Sequence, residues 1–454
     1  MEILVAGIGK SGVASANYLT SKGHKVTITD AKTVEQLADQ MMSLSKGVTV
    51  ITGGHEGITG EFDLLVTSPG IPWDAEILTD FSSRGIPVIS EVELAFTEYE
   101  REWVAITGTN GKTTTTSLVG EMLKSAGIEA VVCGNIGNPV IGETGLTKEG
   151  TVIVAEISSF QLEGVNAFAP KVAAILNITP DHLDRHGSIE NYIAVKSRVF
   201  KKQDEESFCV INMDDPQTAN LKREIPSMVF GFSAKESLTD GVYMEKGKIV
   251  LSNRGDKEVV GDASDLLLIG VTGLENGLAA CAIAHCAGAD TDSIRRALFS
   301  FTGLAHRMEV VAQSEGIRYI NDSKATNVNA ALKGLEGIEG NFCAILGGRD
   351  KEGDFAPLVE LVRERSGAVI VIGEASEKIA TAFQSYGKLN YAKSMDEAVE
   401  KATTLLASEG EEEGTIILSP ACASFDMFLN YEDRGRAFVD AVKRHSSNTG
   451  VAHA

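Results

Sequence analysis

Basic residues are in short supply in this chain: 41 Lys and Arg stand against 63 Asp and Glu over 454 positions, a formal charge of −22. A surface of that sign repels nucleic acid and anionic membranes, so neither is an expected partner, and any phosphate site must be a local concentration of the few cations. Cysteine is sparse too. Cys133, Cys209, Cys281, Cys286, Cys343 and Cys422 form no C-x-x-C pair and sit in apolar or mixed stretches, which points to reduced, buried thiols rather than disulfides or a zinc site. Cys281 and Cys286 read simply as helix residues. No run approaches the ~18 apolar residues of a membrane helix, and Met1-Glu2-Ile3-Leu4-Val5-Ala6-Gly7 reads as a short strand rather than a basic leader with an apolar core, so a cytoplasmic location is expected. With only ten prolines and no low-complexity tract, disorder is not expected either.

What is present is an ordinary enzyme-like balance of 43% hydrophobic and 23% charged residues. The length suits about three domains at roughly 150 residues each. The most informative segment is Val104-Ala105-Ile106-Thr107-Gly108-Thr109-Asn110-Gly111-Lys112-Thr113, an apolar strand running into Gly-x-x-Gly-Lys-Thr. Glycines let several N–H groups point at one anion, the following helix adds its positive end, Lys112 can reach the outer phosphates, and Thr113 offers a hydroxyl to Mg²⁺. A ligand-free Gly-rich turn would explain the glycines but not the Lys-Thr pair. The loop is a variant, because Ile106 stands where the strict pattern has its first glycine.

Residues 1–92 alternate strand-like runs (Ile3–Ala6, Lys25–Thr29, Leu64–Thr67, Val88–Ser90) with helical ones, a helix starting near Ser11, which reads as a parallel αβ sheet. A second unit, 93–300, begins at Trp103–Thr107 and continues through Thr151–Glu156, Val172–Ile178 and Phe208–Asn212. The stretch from about 225 to 270 is rich in strand and turn signals and reads as a small β appendage to this unit, followed by an Ala-rich helix near Gly273–Gly288. A third αβ unit, 301–454, runs through Tyr319–Asn321, Phe342–Leu346, Ala368–Ile372 and Thr415–Leu418, and 445–454 read as a frayed end. Ligands in open α/β sheets sit at the carboxyl ends of strands, so the loops there are the places to look.

Gly7-Ile8-Gly9-Lys10-Ser11-Gly12 follows a strand, and Asp30 closes the next one. Taken alone, this suits NAD and a UDP group equally, since both rest a diphosphate on a helix N-terminus. Thr179-Pro180-Asp181-His182-Leu183-Asp184-Arg185-His186 packs two acids and two histidines beyond a strand, as a metal or phosphate site would, although a capped polar loop explains any one of them. Glu156 closes an apolar strand, where an acid is costly unless it faces a cation, so beside the phosphate loop it is a Mg²⁺ ligand candidate. Lys196 by default is a solvated helix lysine. In the third unit the loops 321–327, 347–351 and 419–426 each follow a strand, and three such loops suggest one binding face rather than three capping turns.

These motifs together resemble the Mur ligase family, the ATP-dependent amino-acid ligases of peptidoglycan assembly, over essentially the whole chain. The residues that carry the resemblance are Thr107–Thr113, Glu156, Asp181-His182-Leu183-Asp184, Asn276, His306-Arg307 and Asp322-Ser323-Lys324. Asn135-Ile136-Gly137, Ser158-Ser159-Phe160-Gln161-Leu162-Glu163, Asn321–Asn327 and Ser419–Ser424 are similar to the members that add D-glutamate to UDP-N-acetylmuramoyl-L-alanine. The resemblance implies a Rossmann-like N-terminal domain holding UDP, a central P-loop ATPase domain and a Rossmann-like C-terminal domain that brings the amino acid, in a monomer acting in the cytoplasm.

By the same resemblance, Gly9, Ser11, Gly12, Asp30 and Lys32 would meet the uridine and diphosphate, and Asn135 and His182 the muramoyl part. Gly108, Thr109, Asn110, Gly111, Lys112, Thr113, Thr114, Asn276, Arg307, Asp322 and Lys324 would meet ATP as the C-terminal domain closes. Thr113 and Glu156 would hold one Mg²⁺, and His182 with Lys196, carbamylated by CO₂, a second. Lys112, Glu156, His182 and Lys196 are then the catalytic set. Thr326, Lys351 and Ser424 would grip the D-glutamate carboxylates, with Tyr431 where the family often shows Phe. The rival members add L-alanine, a diamino acid, a dipeptide, or glutamate to folate. An NAD oxidoreductase leaves Lys112-Thr113 and Glu156 unexplained, and a P-loop switch would need no muramoyl nucleotide.

Overall fold

The computed structural model describes residues 1–448 apart from 56, 57, 59, 100, 101, 269, 315, 351, 352, 385 and 409–412. They form three sheets in two compact units, one of Met1–Leu266 with Leu274–Phe301, the other of Leu267–Gly273 with Thr302–Ala454.

The first sheet is β1 (Glu2–Ala6), β2 (Lys25–Asp30), β3 (Thr49–Thr52), β4 (Leu64–Thr67) and β5 (Val88–Ser90), all parallel in the order β3-β2-β1-β4-β5. Consecutive strands step outward from β1 to β3 and then restart on the other side at β4, so a crevice opens beyond the end of β1. The strands expected from sequence are present, and β3 is additional. Its residues Thr-Val-Ile-Thr are only partly buried at the sheet edge, and so carry little apolar signal.

The second sheet has nine strands: β6 (Trp103–Thr107), β7 (Ala130–Gly134), β8 (Val152–Glu156), β9 (Val172–Ile175), β10 (Phe208–Asn212), β11 (Met228–Ser233), β12 (Gly241–Glu245), β13 (Lys248–Asn253) and β14 (Asp256–Asp262). Their order is β14-β13-β12-β11-β10-β9-β6-β8-β7. The central strands β6, β8 and β9 are buried along their whole length, as parallel strands covered by helices on both faces must be. The β-rich stretch after 225 is continuous with this sheet: β11 pairs in parallel with β10, and β13 and β14 turn the far edge antiparallel.

Residues on both sides of position 92 share one hydrophobic core, in which Ile3, Val5 and Ile28 join Trp103, Ile153 and Phe168. Phe96, Trp103 and Phe168 meet edge to face within it at 5.1–5.7 Å. The helix Glu91–Glu98 is the seam, since its buried Glu91 accepts from Ile141 N at 2.7 Å and Glu93 from Ala167 N at 2.6 Å.

The second unit is built on β15 (Glu309–Ser314), β16 (Ile317–Asn321), β17 (Phe342–Gly347), β18 (Ala368–Ile372), β19 (Leu389–Tyr391) and β20 (Gly414–Leu418), in the order β15-β16-β20-β17-β18-β19. Only β15 is antiparallel. Because β20 lies between β16 and β17, the loops after those three strands emerge side by side, which is the shared face the sequence suggests.

Candidate active site

At the end of β1 the chain must turn tightly. Gly7 takes φ +95°, and a Cβ on Gly12 would lie 1.8 Å from the Gly7 carbonyl oxygen, so only glycine lets the helix Lys10–Ser21 start this close to the strand. That helix has no side-chain cap at Gly9, which leaves its first N–H groups for a ligand. Asp30 faces the same turn, its carboxylate accepting from Ile8 N at 2.8 Å and Lys32 N at 2.9 Å. Ser68, after β4, donates to the Gly7 carbonyl at 3.1 Å and closes the other side.

The phosphate loop follows β6, between the ends of β8 and β9. Gly108 (φ +153°) and Gly111 (φ +81°) give it its curl, and a Cβ on Gly111 would lie 2.1 Å from Asn276 Oδ1. Asn276 in turn accepts from Thr115 Oγ1 at 3.4 Å, so it abuts the loop and the first turn of the helix Lys112–Ser125. Asn177, just past β9, pins the loop from below: its Oδ1 accepts from Asn110 N at 2.8 Å and its Nδ2 donates to Asn110 O at 3.1 Å. Thr109 bonds both the N–H and the carbonyl of Thr179 at 3.1 Å, joining the phosphate loop to the 179–186 loop. Lys112 Nζ folds back onto the carbonyls of Gly108 and Thr109 at 2.8 and 2.9 Å.

Glu156 ends β8, opposite Ile106 in the register, and is 2% exposed. Its Oε1 accepts from Asn135 Nδ2 at 2.7 Å, while its Oε2 is buried with no hydrogen-bond partner among the described residues. A buried carboxylate oxygen left open is costly, and a cation there would remove the cost, so this donor fits Mg²⁺. Among the described residues no three His, Cys, Asp or Glu side chains gather to bind a metal, so an ion here would also draw on hydroxyl, phosphate or carbamate oxygens.

Lys196 is 1% exposed, not solvated. Its Nζ donates to Gly108 O at 2.8 Å and lies 4.6 Å from the centre of the Tyr192 ring. Burial above all, and then Lys112, push its amine well below the ordinary lysine value, with Asp181 opposing. A neutral, nucleophilic amine is what CO₂ requires to form a carbamate. From Lys196 a row of rings leads to the loop: Tyr192, then His186 at 5.2 Å, Phe160 at 5.7 Å and His182 at 4.8 Å. His182 sits at φ +51°, half exposed, its Nε2 3.6 Å from Asp181.

In the second unit, Asp322 is buried, accepting from Ser419 Oγ at 2.9 Å and Met308 N at 3.3 Å, and burial raises its carboxyl to about 7. Lys324 Nζ lies 3.8 Å from the Tyr431 ring centre. Arg434, 1% exposed, reaches all three loops, donating to Ser323 Oγ (3.0 Å), Ser323 O (2.9 Å), Cys422 O (3.0 Å) and, at 3.5 Å, Gly347 O, with burial lowering its guanidinium to about 10. Arg349 and Ala423 bridge the 347–351 and 419–426 loops directly.

The Mur ligase MurD-like N-terminal domain matches residues 1–90, the Mur ligase middle domain 106–284, and the Mur ligase glutamate ligase domain 306–422. The UDP-N-acetylmuramoylalanine--D-glutamate ligase of Pelotomaculum thermopropionicum is 44% identical over 446 residues, 97% of each chain. That of Koribacter versatilis is 42% identical over 445 residues, again 97% of each. The chain belongs to the Mur ligase family. In fold, this Mur ligase is similar to the MurF ligase of Thermotoga maritima solved with ADP (TM-score 0.60, 16% identity, 94% of this chain and 96% of that one). It is also similar to the UDP-N-acetylmuramate-alanine ligase MurC of the same organism (TM-score 0.58, 20% identity, 99% and 100%).

Within the first unit of this Mur ligase, the phosphate loop, Asn276, Glu156, Asn135 and Lys196 come together, and Gly9, Ser11, Gly12 and Asp30 gather at the β1 crevice. Within the second, Asp322 bonds Ser419 and Lys324 lies over the Tyr431 ring, Ser424 is buried, and Thr326 shares the loop of Asp322 and Lys324. Arg307 is in the second unit too, while Lys351 lies outside the described residues. Sequence reasoning missed Asn177, Tyr192, Arg185 and Arg434. Asn177 stands at the carboxyl end of a core strand and was findable on that ground, whereas Arg434 sits among helical charges in Glu432-Asp433-Arg434-Gly435-Arg436 and gives no sign of being buried.

Proposed function

We propose that this Mur ligase joins D-glutamate to UDP-N-acetylmuramoyl-L-alanine with conversion of ATP to ADP and phosphate, as a monomer in the cytoplasmic stage of peptidoglycan assembly. The observation that carries the reading is the full-length likeness to relatives bearing that name, and the geometry around Glu156 is what such chemistry needs. The divisions 1–92, 93–300 and 301–454 correspond to UDP, ATP and amino-acid domains in this reading.

A carboxylate is a poor electrophile. The L-alanine carboxylate oxygen therefore attacks the γ-phosphorus, the bond to the β-phosphate oxygen breaks, and ADP departs, leaving an acyl phosphate. The D-glutamate amine attacks the acyl carbon, phosphate leaves with the C–O bond electrons, and the amine loses its proton as the amide forms. The crevice at Gly9, Ser11, Gly12, Asp30 and Lys32 holds the uridine diphosphate, and Asn135 and His182 orient the muramoyl part. N–H groups of Gly108–Thr114 and the Lys112 ammonium take the β- and γ-phosphates, for which Lys112 must leave its own loop carbonyls. Asn276, Arg307, Asp322 and Lys324 are the remaining nucleotide residues, and Thr326, Lys351, Ser424 and Tyr431 receive D-glutamate. Thr113 with Glu156, and His182 with a Lys196 carbamate, would hold Mg²⁺, whose charge offsets the repulsion between carboxylate and phosphate.

The test is isotope transfer. With ¹⁸O in the L-alanine carboxylate, an acyl-phosphate route delivers one ¹⁸O into the released phosphate, and unlabelled phosphate would exclude it.

A further inference from the structure

Arg185 is placed where a solvated helix arginine would not be. Its side chain is 12% exposed and ion-paired with Glu163, itself 10% exposed. Its guanidinium reaches two backbone carbonyls more than a hundred residues earlier in the chain, Pro69 O at 3.1 Å and Ile71 O at 2.9 Å. It also stacks on Phe160 at 4.4 Å, and Phe160 packs on His182 at 4.8 Å. Glu163 is a hub: besides Arg185 it faces His186 Nδ1 at 3.6 Å, and its carbonyl accepts from Arg198 at 2.6 Å. His186 in turn bonds Ser159 Oγ at 3.1 Å, just past Glu156.

The carbonyls that Arg185 holds belong to the turn after β4, whose Ser68 closes the Gly7–Gly12 crevice. One partly buried side chain thus ties the diphosphate crevice to the His182 ring through a fixed fork and one aromatic ring. A buried ion pair is weak evidence of stability, because desolvation offsets the attraction. A fork spanning two carbonyls, by contrast, fixes geometry, which lysine cannot do.

We propose that Arg185, clamped by Glu163, is a positioning residue that sets the separation between the diphosphate crevice and the carboxylate-activating site, and so matches this chain to a sugar nucleotide of one span. The proposal rests on the functional reading above, and deepens it by naming what sets the length of the substrate. UDP alone touches one end of the span and ATP the other, whereas only the whole sugar nucleotide must satisfy both.

Arg185→Lys keeps a cation against Glu163, so the largely enclosed carboxylate stays paired, while the fork to Pro69 and Ile71 and the stacking are lost. In the full chain, KM for UDP-N-acetylmuramoyl-L-alanine is expected to rise about tenfold or more and kcat to fall several-fold, since misplacement near an ångström is worth about that much. The inhibition constant of UDP and KM for ATP are expected to stay within about twofold, which also reports that crevice and phosphate loop are folded. Arg185→Ala is expected to show the same split, more steeply. If the UDP constant rises in step with KM, Arg185 merely supports the crevice and the proposal is overturned, as it is if no constant moves. A wild-type chain that does not turn over the sugar nucleotide overturns the functional reading and this proposal with it, whereas an active wild type with an unchanged variant KM overturns the proposal alone.

Discussion

Asp322→Asn is expected to make the second unit more stable at pH 8 and the chain less active. Burial raises the Asp322 carboxyl from 3.8 to about 7, against the opposing effects of Ser419, Met308 N–H and Arg307. That is about three units, or about 4 kcal/mol at 1.36 kcal/mol per unit. The sign follows from proton binding: between 3.8 and about 7 the folded state holds this proton and the unfolded chain does not, so stability falls as pH rises through that window and then levels off. At pH 8 the wild type carries the whole penalty, and near pH 4 almost none. Asparagine has the shape of the neutral acid, its Oδ1 can still accept from Met308 N, and the Ser419 hydroxyl can turn to accept from the amide. The variant should therefore gain about 3–4 kcal/mol at pH 8 and little at pH 4. Both tryptophans, Trp73 and Trp103, lie in the first unit, so fluorescence is blind to this change. Hydrogen exchange of peptides from β16 and β20 in mild denaturant reads it directly. Equal protection at pH 8, or a gain that persists at pH 4, would refute the account of a desolvated charge. A gain in stability joined to a loss of turnover is the mark of a charge retained for function.

Gly12→Ala places a methyl 1.8 Å from the Gly7 carbonyl oxygen, so the helix must retreat from the strand, and KM for the sugar nucleotide should rise at least about a hundredfold with KM for ATP unchanged. Glu156→Gln keeps the bond with Asn135 but removes the charge behind the open Oε2, and kcat should fall by about a thousandfold or more, with the loss not recovered by added Mg²⁺. Lys196 should react with CO₂: activity lost in CO₂-free buffer should return on adding bicarbonate, and Lys196→Ala should be inactive in both. Recovery of Lys196→Ala by bicarbonate would remove that residue from the mechanism.

The parts of this molecule that sequence makes legible are those where backbone and chemistry coincide. A buried parallel strand is an apolar run, and a phosphate loop needs glycines and a Lys-Thr pair at its end, so β1, β6 and β8 with their loops can be read directly. Edge strands cannot. In β15 no residue is fully buried and half are polar, and β19 has three residues with no buried face. The neighbourhood of β16, β20 and β17 is also not written in chain order, since β20 inserts between two strands that precede it by some seventy residues or more. Side chains that act through burial are the hardest. Lys196, Arg185 and Arg434 look like solvated helix cations, and only packing reveals that each is enclosed.

The central claim is most directly tested by phosphate release from ATP and Mg²⁺ in the presence of UDP-N-acetylmuramoyl-L-alanine, with D-glutamate, L-glutamate, L-alanine, L-lysine and meso-diaminopimelate supplied one at a time and the product mass determined. Release with D-glutamate alone, and a product heavier by one glutamyl residue, is the predicted result. Release with another amino acid, or with none needed, would contradict it.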